Sequence, residues 1–187
     1  LPVPPTYECR FITVDTAQKT KEHNDFSVFA EWGLYQNKVY RLSYYRGKLE
    51  AGDLKNKFKS FIAAAHSKNG LENGNLRGVY VEDKSSGTGL IQEVSKTSLS
   101  PITAVQRNTD KLTRAMDAQP HVRERKVVLP YGDKDNVSFV AEVCSFTPDD
   151  THKHDDQTDV MVDAVDVAFI QMFTKPKPQV YVRKKYR

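Results

Sequence analysis

Phe11-Ile12-Thr13-Val14-Asp15 is an apolar, β-branched run that ends on a carboxylate. An ionised carboxylate in a mostly buried sheet costs several kcal/mol unless a metal ion or a network of donors compensates it. Asp15 therefore requires partners, and two other acidic positions can supply them. Glu82-Asp83 ends a second short apolar strand, Gly78-Val79-Tyr80-Val81, and His154-Asp155-Asp156-Gln157-Thr158-Asp159 opens a helical pattern. Carboxylates from two strand ends and one helix start, gathered at one sheet edge, form a hard oxygen-ligand set suited to Mg²⁺ or Mn²⁺.

Outward from that strand, the pattern predicts an α/β domain. Tyr7 to Asp15 reads as the first strand, Phe26 to Leu34 as an aromatic and β-branched second strand, and Val39 to Tyr45 as a third after a Gln36-Asn37 turn. Leu54, Phe58, Phe61, Ile62 and Ala65 follow helical spacing between Ala51 and His66. A strand at Gly78–Glu82 follows, and Ser85-Ser86-Gly87-Thr88-Gly89 is read as a flexible turn leading into a helix through Leu90, Ile91 and Val94. Ile102–Val105 is a short strand, Asp110–Val122 a helix, Lys126–Pro130 extended, Val137–Phe146 a helix, and Asp155–Phe173 the last helix. Three strands in an antiparallel meander, followed by parallel strands alternating with helices, predict a mixed central sheet flanked by helices.

With 187 residues the chain suits one domain. Residues 1–9 are expected to be a proline-rich linker and the start of the first strand, 10–173 the domain, and 174–187 a basic tail. No apolar run approaches the roughly 18 residues a membrane span needs. Cys9 and Cys144 lack metal-ligand spacing, so a reducing intracellular setting is expected. His152 and His154 sit in a polar loop, where exposed histidines are commoner than ligating ones. Of the 28 basic residues six lie beyond Phe173, leaving 22 against 24 acidic ones in the body. The near-neutral body and basic tail, with Lys184 and Lys185, suit contact with a phosphate backbone or simple solvation.

In the last helix Asp156, Asp159, Asp163 and Asp166 fall on one stripe, and Val160, Ala164, Val165, Val167 and Ala168 fill most of the rest. Taken alone, that stripe reads as a solvated face with aspartates favoured by the helix macrodipole. Combined with Asp15 and Glu82-Asp83, it supplies the acids of a two-metal phosphodiesterase, in which bridging carboxylates hold two cations about 4 Å apart.

Six segments in order carry a family resemblance: residues 11–17, 24–28, 81–87, 110–114, Leu129-Pro130 and 154–159. Together they resemble the C-terminal nuclease domain of the large terminase subunit of tailed bacteriophages, over about Arg10 to Phe169. The resemblance implies a ribonuclease H-like fold and a Mg²⁺- or Mn²⁺-dependent endonuclease with a two-ion site, cutting concatemeric phage DNA during packaging. Carried over by position, Asp15 is the first metal ligand. The second is Asp83 or Glu82, with Asp83 preferred. The third is Asp156, with Asp155 and Asp159 as alternates; Asp156 and Asp159, one turn apart, are similar to a pair in Holliday-junction resolvases. Lys111 and Arg114 share one side of their helix and are candidate phosphate contacts. Asp25 is a residue that approaches the site at most.

Family membership further implies double-stranded DNA as substrate, an ATPase domain of the same parent chain, the small terminase subunit and the portal ring as partners, and the host cell cytoplasm as location. No Gly-x-x-x-x-Gly-Lys-[Ser/Thr] phosphate loop is present. The chain, which starts without methionine, is therefore expected to be the nuclease half of a longer protein. The alternatives are another nuclease of the same fold, such as a resolvase or transposase, and a packaging-motor interaction module with little activity of its own.

Overall fold

The computed structural model describes residues 4–16, 26–71, 73–83, 85–106, 109–147 and 154–171. Six strands form one mixed sheet: β1 (Cys9–Asp15), β2 (Ser27–Tyr35), β3 (Lys38–Gly47), β4 (Leu76–Glu82), β5 (Ile102–Val105) and β6 (Val127–Val128), in the order β5-β4-β1-β2-β3-β6. β1, β2 and β3 are the antiparallel meander. β4 lies parallel to β1, β5 parallel to β4, and β6 parallel to β3. The β2–β3 turn places Gln36 and Asn37 at φ 46° and 58°, the left-handed pair that matches the twist of a two-residue hairpin.

The central strand β1 is buried along its whole length, so its residues divide between two cores by alternation. Ile12 and Val14 face α1 (Ala51–His66) and α2 (Ser85–Val94), packing with Leu54, Phe58, Ile62, Val79 and Val81. Phe11 faces α4 (Asn136–Ser145) and α5 (Asp156–Val165), packing with Val28, Ala30, Trp32, Phe139, Val160 and Ala164. Thr13 shares that second face: its hydroxyl donates to the Val160 carbonyl at 2.8 Å and accepts from Trp32 Nε1 at 2.9 Å. Asp15, two residues on, therefore projects toward α5.

Helix α3 (Lys111–Arg123) begins at Asp110, whose carboxylate accepts from the Thr113 N–H at 2.9 Å as an N-cap. It packs on α5 through Ala115, Ala118, Val162 and Val165. With the sheet on one side and α3 and α4 on the others, α5 is buried from Gln157 to Val165, its aspartates included. The acidic stripe read from the sequence is thus no solvated face past Asp156. A π-helical segment, Asp166–Gln171, continues it. Lys184, Lys185, Asp25 and His152 lie outside the described residues. Among those described, no helix is long and apolar enough to cross a membrane.

Candidate metal centre

The sheet brings Asp15 and Glu82 together by register. Val14 pairs with Val81 in the parallel β1–β4 ladder, so Asp15 and Glu82 stand side by side one step further on. Alternation aims Glu82 to the same face as Tyr80, which meets Phe11 edge-on at 6.3 Å between centroids. Asp159 reaches this point from the first turn of α5. One carboxylate oxygen each from Asp15, Glu82 and Asp159 lies within 4.8 Å of the others. All three residues are buried, at 7%, 2% and 2% exposure.

Asp83 turns the other way. Its carboxylate accepts from the Thr88 hydroxyl at 2.6 Å and its backbone N–H donates to the Val105 carbonyl at 3.0 Å, which pins the first turn of α2 to the ends of β4 and β5. The Gly87-Thr88-Gly89 segment expected to be a flexible turn lies inside α2. A Cβ at Gly87 would come within 2.1 Å of the Glu82 carbonyl oxygen, so only glycine lets α2 start so close behind the strand. Gly87→Ala should therefore cost about 1–3 kcal/mol through overpacking, read as a lower midpoint in urea unfolding.

Asp156, the first residue of α5, is half-buried and does not join the three-carboxylate group. Asp155, Asp159 and Asp163 form a different stripe, spaced by four, and α3 covers it with Lys111 and Arg114. Lys111 Nζ pairs with Asp155 and lies 2.9 Å from Asp159 Oδ2. The Arg114 guanidinium lies 3.6 Å from Asp159 Oδ1 and 3.7 Å from Asp163 Oδ1. Burial works against the Lys111 charge, but Asp159 and Asp155 override it and hold its pKa above the ordinary lysine value. Asp163 was legible in the sequence only as a member of the stripe. The signal for its role is the match between an i, i+3 pair of cations on α3 and an i, i+4 series of acids on α5. His154 lies against the Phe26 ring rather than in the acid group.

Unit charges 4.8 Å apart repel by about 3 kcal/mol at an effective dielectric near 20. Lys111 and Arg114 together carry less charge than the five acids Asp15, Glu82, Asp155, Asp159 and Asp163. The donor set is entirely carboxylate oxygen, the chemistry that Mg²⁺ and Mn²⁺ favour over softer metals. The residues present therefore fit such an ion.

A six-strand mixed sheet with helices on both faces, and acids meeting where β1 and β4 end, defines a ribonuclease H-like domain. Residues 12–167 match the family model described as the terminase RNaseH-like domain, and the chain belongs to that family. Solved structures agree on the fold. The human cytomegalovirus terminase nuclease domain superposes with a TM-score of 0.66 at 10% identity, covering 89% of this chain and 85% of that one, and a manganese-soaked form of it also matches. The large terminase nuclease from thermophilic phage G20c gives 0.58 at 16% identity over 87% and 82%. The large terminase of another thermophilic bacteriophage, in complex with ADP, gives 0.64 at 16% identity over 92% of this chain, which spans only 41% of that protein. No curated protein matches the chain in sequence.

Proposed function

We propose that this chain is a DNA endonuclease that hydrolyses phosphodiester bonds with Mg²⁺ or Mn²⁺ held by Asp15, Glu82 and Asp159. The observation that carries the proposal is the meeting of three buried carboxylates within 4.8 Å at one end of a terminase-family ribonuclease H-like sheet. One or two divalent ions bound there would supply an activated water and stabilise the leaving oxygen. The protein's own part is to hold the ligands. β1 and β4 fix Asp15 and Glu82 on adjacent rigid strands, and Lys111 and Arg114 hold Asp159 in place. The same two cations, beside Asp159, are the candidate phosphate contacts. Asp155 and Asp156, at the start of α5, would be the further acids for a second ion, and Asp83 acts through the fold by tying α2 to β4.

The chain's 41% share of the ADP-bound phage large terminase supports reading it as the nuclease part of a packaging protein. Its substrate is then concatemeric viral duplex DNA in the host cell cytoplasm. Its partners are an ATPase domain of the parent chain, the small terminase subunit and the portal ring, and residues 174–187 serve as a basic tail.

Supercoiled plasmid incubated with Mg²⁺, with Mn²⁺ and with EDTA provides the test. The unmodified chain should nick and then linearise it only with metal, and Asp15→Asn should cut about 10³-fold more slowly, the loss of several kcal/mol of metal-borne stabilisation. Cleavage that survives EDTA, or that Asp15→Asn leaves unchanged, would overturn the assignment.

A further inference from the structure

On the face that carries the acids, the sheet continues into a basic and aromatic shelf. Asp15 is paired with Val28 across β1–β2, and Val28 with Arg46 across β2–β3, so the three side chains form one transverse row facing α4 and α5. With neighbouring strands about 4.8 Å apart, Arg46 stands roughly 10 Å from Asp15. Phe26, two residues before Val28, shares that face.

The Phe26 ring is where the shelf converges. The Arg46 guanidinium lies over it at 3.8 Å from the centroid, Lys48 Nζ at 4.8 Å, and the His154 ring meets it edge-on at 5.6 Å. Arg46 is also anchored from behind by a 3.2 Å ion pair with Glu142, a buried residue of α4. Lys48 is exposed just past the end of β3. On the other face of the same strand end, the exposed Lys57 lies over Tyr45 at 4.6 Å. Two lysines and an arginine are thus held on aromatic supports at the strand end beside the acids, with few of their rotamers left to freeze on binding.

We infer that Phe26, Arg46 and Lys48 form a phosphate-binding shelf that positions the DNA strand across the acid cluster. The inference rests on the DNA-cleaving reading of that cluster. A site built of carboxylates repels a polyanion, and the body of the chain is near neutral, so adjacent cations must bring the strand in. A span of roughly 10 Å corresponds to about three base-pair steps along the duplex axis at 3.4 Å per step. The shelf therefore grips the backbone beside the bond to be cut. An arginine stacked on a ring suits phosphate contact through its remaining nitrogens. Phe26, Arg46 and Lys48 are positioning residues, and none of them touches the reacting atoms.

Lys48→Ala and Lys48→Glu separate this inference from the nuclease reading, with Lys48→Arg as rescue and Lys96→Ala as a control for loss of charge at a remote exposed site. Binding of a labelled random-sequence duplex, followed by anisotropy in Ca²⁺ over a salt series, should weaken about tenfold in Lys48→Ala and further in Lys48→Glu. The slope of log affinity against log salt should fall by about 0.9, one phosphate contact. Lys48→Arg should restore both, and Lys96→Ala should change neither. In plasmid cleavage the same variants should raise KM and leave kcat near that of the parent.

Parent-like binding, salt slope and KM in both Lys48→Ala and Lys48→Glu, while the parent cuts DNA, would overturn the shelf and leave the nuclease standing. Lys48-dependent binding by a parent that never cuts would support the shelf and remove the nuclease. Neither binding nor cutting by the parent would remove both.

Discussion

Glu82→Gln should reduce metal-dependent plasmid cleavage by about 10³-fold, while Asp83→Asn should reduce it by less than about tenfold. The two residues are adjacent and both acidic, so the contrast tests geometry and not charge. Glu82 shares a face with Tyr80 and stands beside Asp15, its carboxylate within 4.8 Å of those of Asp15 and Asp159. Asp83 faces away and is engaged by Thr88. Replacing one carboxylate oxygen of Glu82 by an amide removes a ligand charge with almost no change of shape. A second readout comes from linkage, since an ion that binds only the folded state raises its unfolding midpoint. Added Mn²⁺ should raise the midpoint of the parent and of Asp83→Asn, and should raise that of Glu82→Gln far less. The opposite ranking of the two variants, in cleavage and in Mn²⁺ stabilisation, would re-centre the site on Asp83.

The choice between these neighbours shows where the sequence stopped being informative. β4 is buried on both faces, so hydrophobic alternation could not label its sides. The label comes from which helix covers which face, a long-range fact. Asp15 was legible because a single charge ending an apolar run stands out. Its partner on α5 was less so, since Asp155, Asp156 and Asp159 are all acids at a helix start. Which of them meets the sheet depends on the rotation of α5 against β1, fixed here by Thr13 and Val160. Helix α1 was readable over its full span, because Leu54, Phe58, Ile62 and Ala65 make a single-sided stripe. The start of α2 was not, because two glycines that usually mark a turn are accommodated inside the helix, one of them for close packing against Glu82. The parallel pairing of β6 with β3 rests on two residues, too few for any periodicity.

Some buried charges went unmarked altogether, Arg10 and Glu31 among them. Arg10 and Glu31 lie on the α1 face at the opposite end of β1 from Asp15, at 1% and 0% exposure. Glu31 sits in the middle of an aromatic strand, where a lone acid reads as an outward-facing residue. It is instead paired with Arg10 and accepts from Lys68 at 2.9 Å, while Lys68 also reaches Ser43 at 2.9 Å. Arg10 donates to the Ala65 carbonyl at 2.9 Å, to Asn69 Oδ1 at 2.8 Å and to the Asn73 carbonyl at 2.9 Å. One guanidinium thus ties β1 and β2 to the end of α1 and to the segment leading into β4. The pair belongs to the architecture and not to the acid site, even though all four residues Arg10, Asp15, Glu31 and Glu82 are charges buried in strands.

Arg10→Met should therefore destabilise the domain by about 3–5 kcal/mol, because it removes one partner of a buried ion pair and leaves the other charge in place. That is a large part of the about 5–15 kcal/mol by which a domain is stable. Urea unfolding at neutral pH reads the loss directly. The double variant Arg10→Met/Glu31→Leu should recover part of it, since no charge is then left buried. Acid provides an independent check. Burial pushes the Glu31 carboxyl up, but Lys68, Ser43 and Arg10 override it and hold its pKa below the ordinary value of 4.5. A depressed native pKa stabilises the fold above the unfolded value and ceases to do so as pH falls through the native one. The parent should therefore lose stability as pH drops below about 4.5, and Glu31→Gln, less stable at neutral pH, should lose less over the same window. Equal pH slopes in the two would show that Glu31 does not carry this charge. Because Arg10 and the carboxylates of Asp15, Glu82 and Asp159 lie at opposite ends of β1, Arg10→Met that remains folded should bind Mn²⁺ as the parent does. A parallel loss of stability and metal affinity would mean instead that the two ends of the strand are coupled.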